Sequence, residues 1–355
     1  MRDARPLKTA IRTYGQLFPL VFLTAFAMQW SRTDAGRDTA ILFVGAANPR
    51  VGESIYHLIP EPGVFRQQSV YNYPPPLGAA LQPLTHLRYE TFARFWLIVL
   101  SIGFWIFAAA SARIVFGSSN WGSTTTAGGL LFLTPGVVHS WNMGNADVLV
   151  WTLVAVGFAS RGTVRGAALM SAALLKVTPL FAFIFACRDR RALNGGMIAV
   201  VLASLIMVLS LGVSGAVDES HTFLRDVAPT LAQGEHWITG RQEWTILGLR
   251  LPSFSPGNLS LAFLPLQVLR RTVLPLWARL WLLSAGVGFP LVTGVLLRRR
   301  PDAQIAGVLV MSVLWAPIMR LNYLPMLVPP GLVIWRAARS KHRKTDSADP
   351  PGSAS

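Results

Sequence analysis

The sequence predicts an all-α, polytopic integral membrane bundle of about nine spans, with re-entrant or interfacial helices between them. Three observations predict it. Hydrophobic residues make up 52% of the 355 residues and charged residues only 14%, where soluble domains carry about a quarter charged. Apolar runs of helical length recur along almost the whole chain. The basic residues, 32 against 16 acidic, gather in short runs beside those stretches, which reads as topology and contact with anionic lipid rather than as a nucleic-acid surface. Cys187 is the single cysteine, so no internal disulfide can form. Walker A and GxGxxG signatures are absent, so no nucleotide site is expected.

The elements follow in order. Arg2, Arg5, Lys8 and Arg12 precede the apolar run Leu17 to Trp30, which puts the N-terminus in the cytoplasm. Two readings of that run stand: a retained helix, or a leader cleaved after the small-x-small triplet Ala25-Phe26-Ala27. Residues 32–90 hold no spanning segment and form a large external loop. Phe92 to Ala112 is the second span, and Thr124 to Trp141 the third. Asp147 to Ala159 is the fourth and is short, which suits a helix whose outer end opens into a polar cavity.

Residues 166–187 are flanked by basic runs on both sides. They predict either a hairpin of two half-helices broken at Lys176 to Pro179, or one kinked helix. Gly195 to Val213 leads outward to a second external loop at about 215–272. Leu276 to Leu297, Ala303 to Ile318 and Leu321 to Trp335 complete the set. Residues 1–340 are thus expected to be one membrane-embedded domain, and 341–355, rich in Ser and Pro, a disordered cytoplasmic tail. Both termini are expected in the cytoplasm.

This layout gathers the polar motifs at the external face. Asp38 follows the first span, where helix capping competes with catalysis as its role, and Asp34 is a rival cap. The stretch Tyr71-Asn72-Tyr73-Pro74-Pro75-Pro76 is expected to be stiff and extended, holding Tyr71 and Tyr73 in set positions. The bland alternative is an aromatic anchor at headgroup depth. Asn145 or Asp147 suits a cap on the fourth span. Lys176, in mid-run, is costly in lipid and hints at function, with snorkelling as its alternative. Arg320, external against the basic bias, could grip a phosphate or a bulk headgroup. His236 and Arg241 lie in the aromatic-polar second loop. Metal-ligand spacing such as HExxH is absent, so no metal or other cofactor is expected.

The ordered set resembles the polyprenyl-phosphate-sugar-dependent glycosyltransferases of the GT-C superfamily, most closely glycosyltransferase family 87. Members of that family include polyprenyl-phosphate-mannose-dependent α-mannosyltransferases. The likeness runs over residues 10–336. It is carried by Asp38, Ala46, Gly52 and Tyr56; by Tyr71, Tyr73, Pro74 and Pro75; by Gly144, Asn145 and Asp147; by Lys176 and Pro179; by Asn258 and Ser260; and by Ala316, Pro317, Asn322 and Tyr323. The third of these departs from the family's Gly-Gln-x-Asn pattern, and the last lacks its Ser and His.

The resemblance implies a GT-C-type bundle in the plasma membrane. It implies transfer of a sugar, mannose favoured, from a polyprenyl-phosphate donor to a lipid or glycan acceptor, with inversion and with Asp38 as general base. Lys176 and Arg320 become candidates to stabilise the leaving phosphate, with His236 and Arg241 behind them. Tyr71, Tyr73, Asn145, Asp147, Asn258 and Tyr323 become candidate substrate-binding residues. A transporter or lipid flippase with a site near Lys176 is the competing class, one that usually shows inverted repeats and paired broken helices.

Overall fold

The computed structural model describes residues 5–32, 36–57, 71, 73–228, 244–246, 249–251, 260–262, 276–316 and 321–346. Helix α1 (Arg5–Trp30) packs along α5 (Trp121–Phe132), with Tyr14, Gly15 and Phe18 against Thr126, Gly128 and Gly129. Helix α2 (Arg37–Ala47) carries Asp38 in its first turn, where the helix dipole favours an anion.

Helix α3 (Pro75–Leu81) begins inside the proline run. Only Pro74 is extended there, at φ −56° and ψ 152°, while Pro75 and Pro76 form the first helical turn. The expectation of a wholly extended segment is thus corrected. Proline's fixed φ also suits the start of a helix, where its missing N–H costs nothing.

Helix α4 (Tyr89–Phe116) is the second expected span. The third is two helices, α5 and α6 (Pro135–Met143), because Pro135 biases Thr134 toward extended backbone. Helix α7 (Asp147–Ala159) has the bounds the sequence predicts.

Helices α8 (Gly162–Leu175) and α9 (Leu180–Ala186) break where expected, at Lys176 to Pro179. Helix α10 (Arg190–Thr222) then starts beside the start of α8: Gly166 lies on the Ala192 carbonyl and Gly195 on the Thr163 carbonyl, approaches that leave no room for a Cβ. Both ends of the α8–α9 segment therefore sit at the same end of the bundle, and of the two readings the turned-back hairpin holds.

Helix α10 kinks at Gly212 and runs past residue 215, so the second loop starts later than the sequence suggests. Within that loop, β1 (Trp244–Ile246) and β2 (Leu249–Leu251) pair antiparallel with Thr245 opposite Arg250. This ribbon is the one departure from all-helical structure among the described residues. Helices α11 (Leu276–Leu296), α12 (Pro301–Leu314) and α13 (Val328–Asp346) follow, with a 3₁₀ turn at Leu321–Leu327. Helix α13 carries residues 341–346 of the expected tail, whose Lys and Arg suit a helix C-terminus.

Basic turns meet at one end of the bundle. There Arg165 pairs with Asp302 at 2.9 Å, Arg188 donates to Gln304 at 2.7 Å, and Arg336 donates to the Ile114 carbonyl at 3.1 Å. Three helices among the described residues are long and apolar enough to cross a membrane: Tyr89–Phe116, Arg190–Val227 and Leu276–Leu296. Helices α7, α8 and α12 are apolar but shorter. The expected count of about nine spans is thus not established, whereas a membrane helical bundle is. Its interior is one main cluster, in which Phe18, Phe22, Phe104 and Trp141 interlock as tilted and stacked rings.

Candidate active site

At the end opposite the basic turns, a chain of polar contacts joins five sequence-distant segments. Asn145 is its hub. Its amide nitrogen donates to Asp38 Oδ2 at 2.7 Å. Its amide oxygen accepts from the Tyr73 hydroxyl at 2.9 Å and from the Asp147 N–H at 2.8 Å. Two donors on one side and a carboxylate on the other fix which way the amide points. The N-cap of α7 is Ala146, not Asn145; Asn145 instead accepts from the first-turn N–H of Asp147 while its amide nitrogen holds Asp38.

Backbone geometry makes the hub possible. Gly144 ends α6 at φ +70°, a left-handed turn that suits glycine. Its carbonyl accepts from the Trp96 indole at 2.8 Å. The turn swings Asn145 toward α2 while α7 starts two residues later.

Asp147 is fully buried in the first turn of α7, and Lys176 donates to its Oδ1 at 2.6 Å. Lys176 ends α8 in extended backbone, so the α8–α9 break is what aims its side chain inward. Its ammonium also sits 3.4 Å from the centre of the Tyr323 ring, a cation–π contact. The lysine is thus a paired internal cation, not a snorkelling one.

Tyr71 and Tyr73 are buried, not lipid anchors. Tyr56, Tyr71 and Tyr73 form a ladder of edge-on rings with centroids 5.7 Å apart at each step, and the Tyr56 hydroxyl donates to the Tyr73 carbonyl at 2.9 Å. Burial pushes the Tyr73 phenol well above its usual range, and the charges of Asp147 and Asp38 push it further. Tyr73 therefore stays a neutral donor.

Glu219 carries no signal in the sequence. Its carboxylate, buried near the end of α10, accepts from the Ile55 N–H at 3.0 Å and the Ser54 hydroxyl at 2.9 Å. That clamp sets the turn carrying Tyr56. No motif announces it, because its meaning lies in a contact across 164 residues.

Of the residues singled out from the sequence, Asp38, Tyr71, Tyr73, Asn145, Asp147, Lys176 and Tyr323 come together. Asp34, His236, Arg241, Asn258 and Arg320 lie outside the described residues. Among the described residues, no group of three or more His, Cys, Asp or Glu is placed to hold a metal. Chemically, the cluster offers an oriented carboxylate beside an ion pair and neutral hydroxyl donors.

A family model described as glycosyltransferase family 87 matches residues 71–319. That stretch contains Tyr71, Tyr73, Asn145, Asp147 and Lys176. Asp38 precedes it, and Tyr323 follows it. No curated protein and no solved structure matches the chain.

Proposed function

The chain belongs to glycosyltransferase family 87, and from that premise we propose that it moves a sugar from a polyprenyl-phosphate donor to a hydroxyl of a lipid or glycan acceptor at the external face of the plasma membrane. Mannose is the favoured sugar. Asp38 is the general base. It takes the acceptor's proton as that oxygen attacks C1, the bond from C1 to the phosphate oxygen breaks, and the electron pair leaves with the polyprenyl phosphate. Attack opposite the leaving group inverts the configuration.

One observation carries this reading: Asp38, outside the matched residues, is bonded through Asn145 to the tyrosine, aspartate and lysine inside them. A carboxylate held at that position serves a water-borne acceptor while the donor's tail stays in lipid. Membership in the family sets the transporter reading aside. The buried ion pair Asp147–Lys176 then fixes the wall beside Asp38. Its charges cancel, so it shapes the site more than it offers a free cation to phosphate.

The test is incubation of purified protein with labelled polyprenyl-phosphate sugars and membrane lipid extract. A glycosylated product from the wild type, and none from a well-folded Asp38→Asn variant, is the expected result. Equal transfer by both removes Asp38 from the chemistry. Absence of product from every polyprenyl-phosphate sugar removes the donor class.

A further inference from the structure

The turn that ends α6 leads into Asn145 and also meets the chain just before α2. Two residues make that meeting. Gln29, buried in the last turn of α1, donates its amide N–H to the Asn142 carbonyl at 3.0 Å. Its amide oxygen accepts from Arg32 at 3.3 Å, which fixes the way the amide points. The Asn142 carbonyl belongs to the last turn of α6, where carbonyls lack partners within the helix. A side chain from α1 supplies one.

Gly36 is the second residue. It stands immediately before α2 at φ +85° and ψ 154°, a conformation open essentially to glycine alone. A Cβ there would lie 2.7 Å from the Asn142 carbonyl oxygen and 2.7 Å from the carbonyl carbon and oxygen of Met143. All three atoms are backbone, which cannot step aside as a side-chain tip can. Ser, Thr, Asp or Asn would ordinarily cap a helix from this position. Here α2 has no side-chain cap, and the close approach to α6 takes its place.

Gln29 and Gly36 thus meet the same Asn142 carbonyl from the two ends of residues 29–36. Two residues after Gly36 comes Asp38, and three residues after Asn142 comes Asn145, whose amide holds the Asp38 carboxylate at 2.7 Å. We infer that Gln29 and Gly36 are positioning residues for the candidate base: they seat the start of α2 on the α6 turn and so set the span across which Asn145 holds Asp38. What the carboxylate does there rests on the glycosyl-transfer reading; the seat itself rests on the contacts. Both residues lie outside the stretch that the family model matches. Proton transfer needs its partners within hydrogen-bond reach, so a shift of about 1 Å at the start of α2 leaves the carboxylate basic but out of range.

The test uses the whole protein in phosphatidylcholine nanodiscs, with labelled polyprenyl-phosphate sugars and membrane lipid extract. Gln29→Met keeps the volume and removes the donor; Gly36→Ala adds the obstructing carbon. Each is made in wild type and in Asp38→Asn and checked for a single gel-filtration peak. The two probe one seat, so one folded variant suffices. In wild type, kcat is expected to fall about 10–100-fold with donor KM unchanged. In Asp38→Asn, the same substitution is expected to have no further effect, because the base it positions is already gone. Unchanged kcat, or an equal loss in both backgrounds, overturns the inference. A readout independent of activity uses Asp38→Cys/Asn145→Cys in a Cys187→Ser chain, bridged by a short bis-methanethiosulfonate reagent. Bridging is expected to drop severalfold when Gln29→Met is added, and equal bridging overturns the seat. Gln29-dependent bridging without transfer from any sugar donor upholds the seat and sinks the glycosyl-transfer reading. Asp38-dependent transfer, with kcat and bridging both indifferent to Gln29→Met, does the reverse.

Discussion

Asn145 donates its amide hydrogen to Asp38 Oδ2 at 2.7 Å, across 107 residues of sequence. The contact fixes the carboxylate's position before any substrate arrives. Asp38→Asn keeps the shape and removes the basicity. Its fold is expected to hold, with a thermal midpoint close to wild type. Sugar transfer is expected to fall roughly 10²–10⁴-fold, the usual worth of a general base. A radiolabel transfer assay beside a melting curve checks both halves.

Tyr73→Phe removes one of two donors to the Asn145 oxygen and leaves the Asp147 N–H in place. The expected cost is about 1 kcal/mol of stability, the usual net worth of one such bond, with lower kcat. The Tyr73 phenol titrates well above its usual range because it is buried. A raised pKa means the hydroxyl keeps its proton through neutral and mildly alkaline pH. The alkaline limb of the pH–rate profile is therefore expected to be the same in Tyr73→Phe and wild type. A limb that vanishes in the variant would show that this phenol ionises during turnover.

Much of the bundle was legible because lipid restricts what can cross it. Apolar runs with basic flanks locate α4, α7, α10 and α11, and Lys176 to Pro179 marks the α8–α9 break, whereas Thr124 to Trp141 reads as one span and its break at Pro135 emerges only in the structure. The site was legible residue by residue but not as a set. Lys176 stands out as an expensive charge and Asp147 as a cap. That they neutralise each other depends on how α7 lies against α8, which neither local pattern encodes. Glu219 carried no signal at all, since a lone charge near a helix end reads as an ordinary solvated residue. The proline run was misread in part because fixed φ serves both extended chain and a helix start.

Lys176→Met removes the ammonium bonded at 2.6 Å to the fully buried carboxylate of Asp147. Breaking such a pair from one side typically costs about 3–5 kcal/mol. The single variant is expected to express poorly or melt far below wild type. Adding Asp147→Asn removes the buried charge that Lys176 faced and is expected to restore part of the stability. A double variant no better than the single one would show that the pair is not the source of the loss. Urea or thermal melts in detergent measure all four members of the cycle.

Gly166 lies on the Ala192 carbonyl where α8 crosses α10, and backbone cannot yield as a side-chain tip can. Gly166→Ala is expected to force the helices apart and cost about 1–3 kcal/mol or more. Gly288 in α11 provides the control, since a Cβ there meets nothing within 4 Å. Gly288→Ala is expected to be neutral or to stabilise by up to about 1 kcal/mol. Opposite signs at two helical glycines would place the effect in the crossing and not in helix propensity.

A line of contacts connects Glu219 to Asp38. The Glu219 carboxylate holds the Ile55 N–H and the Ser54 hydroxyl. The turn they define carries Tyr56, whose hydroxyl holds the Tyr73 carbonyl. Tyr73 in turn holds Asn145, and Asn145 holds Asp38. Glu219→Ala strands the buried Ile55 N–H, at a cost of about 1–3 kcal/mol. Stability alone does not separate a positioning role from a merely structural one. The discriminating readout is kinetic, taken well below the melting temperature. If the line of contacts positions the base, kcat drops in Glu219→Ala while donor KM stays near wild type, and Glu219→Gln, which keeps an acceptor oxygen, recovers part of kcat. If kcat is unchanged in the folded fraction of Glu219→Ala, the clamp serves the fold only, and Asn145 suffices to hold Asp38.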